Sequence, residues 1–98
     1  MYVTDFRHFL NAQGAIGLPK GPGLRFANFL ATLVVVATDH AAKDATTCFK
    51  CKSPQVHAAI DNERRVAWKC LACNECGVIS NWQETLWDVT DTAYQQPM

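Results

Sequence analysis

Five cysteines carry most of the chemistry this chain can offer: Cys48 and Cys51 in CFKC, then Cys70, Cys73 and Cys76 in CLACNEC. A two-residue spacer lets both thiolates of a tight turn reach one ion, while the turn's backbone N–H groups point at the sulfurs and offset their charge. CxxC, a gap of about twenty residues and a second CxxC is the ligand spacing of a structural zinc site built from two such knuckles joined by a hairpin. The chemistry expected is therefore binding of one structural Zn2+. Four ligands suffice, so one of the five cysteines is surplus. Cys48 and Cys51 form the first knuckle. The second is Cys70/Cys73, with the strand RRVAWKC running into it and Asn74 closing it, or Cys73/Cys76, closed by Gly77. Asparagine tolerates the left-handed backbone such a closure needs, and glycine adopts it freely.

The elements that position these residues can be read around them. QVHAAI (55–60), a DNE turn and RRVAWKC (64–70) predict a hairpin, and GVISNW (77–82) a third strand. Three short strands bury too little to stand alone, so metal must supply much of their cohesion. Upstream, Thr4 is a candidate cap for a short helix over DFRHFL, with Phe6, Phe9 and Leu10 facing one way. Residues 11–23, NAQGAIGLPKGPG, predict a loop, and Pro22 suits the first turn of a helix.

That helix is expected over 22–43. Arg25, Asn28, Thr32, Asp39 and Lys43 recur as a narrow polar stripe, and Phe26, Phe29, Leu30, Leu33, Val34, Ala37 and His40 fill the remainder. The β-branched run Leu33–Val36 makes a strand its competitor. An apolar arc this wide needs cover on a second side, from the N-terminal helix and aromatic tail or from a second copy in a homodimer through helix 22–43. The organisation expected is one α+β domain over 1–98: a helical part, 1–45, packed on a three-stranded antiparallel sheet, 46–92, with a disordered tail at 93–98.

Composition bounds the partners. Nine basic residues balance nine acidic ones in 98 residues, so no overall field draws the chain to nucleic acid or to a membrane. The stretch from Lys43 to Lys69 is nonetheless mildly basic and the segment after Cys70 acidic. Lys50, Lys52, Arg64, Arg65 and Lys69 could meet phosphates while Trp82 and Trp87 stack on bases, giving a nucleic-acid-binding alternative. The other reading packs the tryptophans into a thin core. MYVTDFRHFL lacks the basic leader and apolar core of an export signal, and no run approaches the ~20 apolar residues of a membrane span. A cytoplasmic protein with reduced thiols is expected. His8, His40 and His57 are scattered singly and, with Arg7, read as surface or helix-end residues; no nucleophile–base pair is evident, so no enzyme is expected.

The second half resembles a zinc ribbon. More specifically, YVTDFRHFL (2–10), WKCLAC (68–73), GVISNW (77–82) and TLWD (85–88) resemble a set of small bacterial proteins of plasmid-related type, uncharacterised as a group, that share a WxCxxCxxEGVISxW pattern. The resemblance lies at the two ends of the chain. It implies a second knuckle of Cys70 and Cys73, with Cys76 standing where the family has an acidic residue. It implies no reaction or substrate. Together these readings describe a non-catalytic zinc-ribbon protein that binds a protein partner as an adaptor or regulator.

Overall fold

The computed structural model describes residues 1–39 and 46–90. Its elements are strand β1 (Tyr2–Asp5), a 3-10 turn (Phe6–Phe9), helix α1 (Pro22–Thr38) and strands β2 (Val56–Ile60), β3 (Val66–Cys70) and β4 (Cys76–Ser80). The strands form one sheet in the order β1-β4-β3-β2. β2 and β3 are antiparallel, as are β3 and β4, whereas β1 runs parallel to β4.

The architecture is α+β, but two expectations are corrected. The sheet has four strands with a parallel edge, not three antiparallel ones. Among the described residues the N-terminal part holds one α-helix, not two. Tyr2, Val3 and Thr4 favour extended backbone and pair with Gly77, Val78 and Ile79 of β4. Side chains reinforce the parallel seam: Thr4 Oγ1 donates to the Val78 carbonyl and Ser80 Oγ to the Thr4 carbonyl, both at 3.2 Å. The cap is Asp5, not Thr4, since Asp5 Oδ1 accepts from the Arg7 N–H at 3.0 Å. Only four residues of 3-10 helix follow. The Asn11 side chain then accepts from the Gln13 and Ala15 N–H groups and turns the chain back.

Pro22 does begin α1, and the β-branched run stays helical. The described helix ends at Thr38, so residues 40–43 of the expected helix lie outside the described residues, as do 91–98 with the expected tail. Arg25, Asn28 and Thr32 are exposed, while Ala27, Phe29, Leu30, Ala31, Leu33, Val34 and Thr38 are buried. The helix is thus covered from within the chain over most of its girth. Part of that cover is the segment after β4, whose Val89 N–H donates to Thr38 Oγ1 at 3.1 Å. No described helix is long and apolar enough to cross a membrane.

The core lies between α1 and one sheet face. Alternation along β3 puts Val66, Trp68 and Cys70 on that face and Lys69 on the other. An aromatic chain ties the layers together: Tyr2 meets Phe26 at 5.4 Å between ring centroids, Phe26 meets Phe49 at 4.9 Å, and Phe29 meets Phe49 at 5.0 Å and Trp68 at 5.1 Å. At the far end of the hairpin, Asp61 Oδ1 accepts from the Glu63 and Arg65 N–H groups and Oδ2 from Arg65 Nε. These bonds, that from the Arg65 N–H foremost, hold the Asp61 carboxyl below its usual pKa of 3.8.

Candidate metal centre

The two knuckles repeat one backbone scheme. In the first, the Cys48 N–H donates to the Ser53 carbonyl at 2.8 Å and the Lys52 N–H to the Cys48 carbonyl at 3.1 Å; in the second, Cys70 donates to Glu75 at 2.8 Å and Asn74 to Cys70 at 2.9 Å. The residue after each second cysteine is left-handed, with φ 65 at both Lys52 and Asn74. Asparagine takes that conformation at modest cost, which is the signal the sequence offered for the Cys70/Cys73 knuckle. Lysine gives no such signal.

The sulfurs sit among backbone donors. The Lys50 N–H donates to Cys48 Sγ at 3.4 Å, and the N–H groups of Ser53, of Cys73 with Ala72, and of Glu75 act on the Cys51, Cys70 and Cys73 thiols in the direction of ionisation. Such bonds favour the charged thiolate.

The four ligand atoms of Cys48, Cys51, Cys70 and Cys73 all lie within 4.8 Å of one another. Cys48 Sγ is 3.8 Å from Cys73 Sγ, and Cys51 Sγ is 3.6 Å from Cys70 Sγ. Both pairs cross between knuckles, and both are far too long for the ~2.05 Å of a disulfide bond. A tetrahedral zinc with Zn–S bonds of about 2.3 Å requires sulfurs about 3.8 Å apart. The donor set and its spacing therefore fit a four-thiolate metal ion. Cys48 and Cys70 are buried, Cys73 is half-buried and Cys51 is exposed.

The thiols oppose one another's ionisation. The backbone N–H of Cys73, helped by that of Ala72 and by neighbouring thiols, brings Cys70 down from 9.0 to about 7. At Cys73 the Glu75 N–H pulls downward, but burial and the Cys51, Cys70 and Cys48 sulfurs outweigh it and push the thiol up to about 12. Cys51 is also raised, against its bond from the Ser53 N–H, by burial and by Cys70. Negative charge on Cys70 thus makes further charge on Cys51 and Cys73 costly. A bound divalent cation would relieve that repulsion and hold all four as thiolates.

Cys76 is not among the four. It opens β4 as the cross-strand partner of Lys69, so it stands on the face opposite Cys70, one pleat away from the site. Replacing it should leave the centre intact: Cys76→Ser and the unaltered protein are both expected to carry one bound metal ion per chain in native mass spectrometry. Loss of the ion would reassign the second knuckle.

Glu75 links the site to the fold. Its carboxylate lies 3.5 Å from Lys50 Nζ in the other knuckle. Its hydrogen bond with Tyr2, with burial, raises the Tyr2 phenol above 10.0. Sequence reading passed over Glu75, because an acidic residue inside a knuckle carries no spacing signal.

The remaining candidate residues are dispersed. Lys50 and Lys52 lie on the first knuckle, Lys69 on the outer face of β3 beside His57 of β2, and Arg64 and Arg65 at the opposite end of the hairpin. Arg65 is paired with Asp61 at 3.0 Å and Glu63 at 2.7 Å. Trp82 is buried, with Nε1 donating to the Arg64 carbonyl at 3.0 Å. Trp87 is half-buried, edge-on to Phe6 at 5.3 Å. Comparison of the chain with protein-family models, with curated proteins and with solved structures finds no match, so the likeness to the small bacterial proteins rests on the motifs quoted above.

Proposed function

We propose that the chain is a small non-catalytic zinc-ribbon module in which Cys48, Cys51, Cys70 and Cys73 hold one structural Zn2+, and that it serves as a protein-interaction adaptor in a reducing, cytoplasmic setting. The observation that carries the metal reading is the four-sulfur cluster, with its cross-knuckle separations of 3.6 and 3.8 Å. Four thiolates fill a tetrahedral ion, leaving no position at which water or substrate could be activated. Metal analysis of the purified protein decides whether that ion is zinc.

The adaptor reading is supported by the outer face of the sheet. Cross-strand pairing aligns Ala59, Ala67, Val78 and Val3 in one row spanning all four strands. Val3 is 72% exposed and Ala59 is exposed as well. A photo-crosslinking residue at position 3 or 59 is expected to give protein adducts in cells, and the same residue at Gln13, on the exposed loop, to give none. Equal labelling from all three positions would overturn the adaptor reading. The nucleic-acid alternative has less support, since its cations divide between the two ends of the hairpin and both tryptophans are engaged in packing. It would be restored by single-stranded oligonucleotide binding whose affinity falls with a log–log salt slope of about 0.7 per phosphate contact.

A further inference from the structure

A groove of about 600 Å³ runs between α1 and the first knuckle, within the usual range of about 300–1,000 Å³ for small-molecule sites. One wall is the polar stripe Arg25, Asn28 and Thr32; Lys52 stands on the other, and the rings of Phe29 and Phe49 contribute to the floor. This is part of the narrow polar stripe that recurs along the helix in the sequence. No acidic residue lines the groove among the described residues. Among the described residues, the cations found in ion pairs are Lys50 and Arg65, and no carboxylate is found paired with Arg25 or Lys52.

We propose that this groove binds a small organic anion: a carboxylate or phosphate carried on a flat apolar ring system. Arg25 supplies a planar fork of donors matched to either anion, and Lys52 a second positive charge. The aromatic rings beneath offer a surface on which a planar body can lie. Lys52 is placed by its left-handed closure of the first knuckle, so the site depends on that knuckle being formed. The proposal therefore rests on the metal reading, and the test uses metal-loaded protein whose metal content is measured alongside.

The test is amide chemical-shift mapping with two acids, indole-3-acetate and adenosine monophosphate, against their neutral counterparts indole-3-acetamide and adenosine. Expected are shifts confined to α1 around Arg25–Thr32 and to Cys48–Lys52, from at least one acid, with its neutral counterpart binding about tenfold more weakly. The acid that binds identifies the anion. Arg25→Gln, on the exposed helix face, and Lys52→Asn, which keeps a residue tolerant of the left-handed backbone, should each weaken that acid several-fold at unchanged metal content. Absence of binding by both acids at millimolar concentration, equal binding of acid and neutral compound, or unaltered affinity in both variants would each overturn the proposal. A protein that lacks metal from the outset would instead overturn the reading beneath it.

Discussion

Stripping the metal from the purified protein with a chelator is expected to abolish the ordered state of β2, β3 and β4, with loss of amide dispersion and of near-UV circular dichroism. The argument begins with where the sulfurs sit. Cys48 and Cys70 belong to the same buried cluster as Phe29, Leu33, Val56, Val66 and Trp68, so the four-sulfur cluster is part of the core and not an appendage. Phe49, between the two cysteines of the first knuckle, packs its ring on Phe26 and Phe29 of α1. Releasing that knuckle would therefore also expose the helix face. A structural zinc in a peptide-sized unit contributes on the order of 10 kcal/mol, comparable with the whole stability of a domain this size. Cys70→Ser should reproduce the effect without chelator, because it removes a fully buried ligand from the core. Chelated protein that keeps native dispersion, or a Cys70→Ser chain that still binds one ion and melts normally, would show that the thiols are ordinary core residues.

How much of this was legible beforehand depended on how local each signal is. Cysteine spacing pointed to the two knuckles because their geometry is set within six residues, and Asn74 adopts the left-handed closure its chemistry permits. The strands β2, β3 and β4 followed from short β-prone runs between turns. The exclusion of Cys76 follows from pleat parity: Lys69 faces it across the β3–β4 seam, and that parity depends on the knuckle closing at Asn74. β1 was hidden for a different reason. Four residues are too few for alternation to compete with the helical spacing of Phe6, Phe9 and Leu10, and the partner strand lies more than seventy residues away. The tryptophans were ambiguous because an aromatic side chain looks the same in sequence whether it stacks on a base or, as Trp82 does, bonds a backbone carbonyl inside the fold.

Gly77→Ala should be among the most damaging single substitutions outside the cysteines. Gly77 pairs with Tyr2 at the start of the β1–β4 seam. A Cβ there would come 2.5 Å from the Tyr2 carbonyl oxygen, 2.9 Å from Tyr2 Cβ and 2.9 Å from Trp68 Nε1. Two of those atoms cannot move without moving β1 itself, and the third belongs to a tryptophan wedged among Tyr2, Phe29 and Phe49. The substitution must therefore push β1 off β4 or displace Trp68 from the core. Overpacking of this kind costs about 3 kcal/mol at its upper end, or a fall in melting temperature on the order of 15 °C for a chain of this length. Amide exchange would show where the damage falls: β1 should lose its protection while both knuckles keep metal. Gly23→Ala is the matched control, since its added methyl would meet only Leu18 Cδ1 at 3.9 Å, and alanine favours a helix over glycine by up to about 1 kcal/mol. That variant should melt at or slightly above the parent temperature. A Gly77→Ala protein that melts with the parent and retains protected β1 amides would mean that the parallel strand is not paired where the structure puts it.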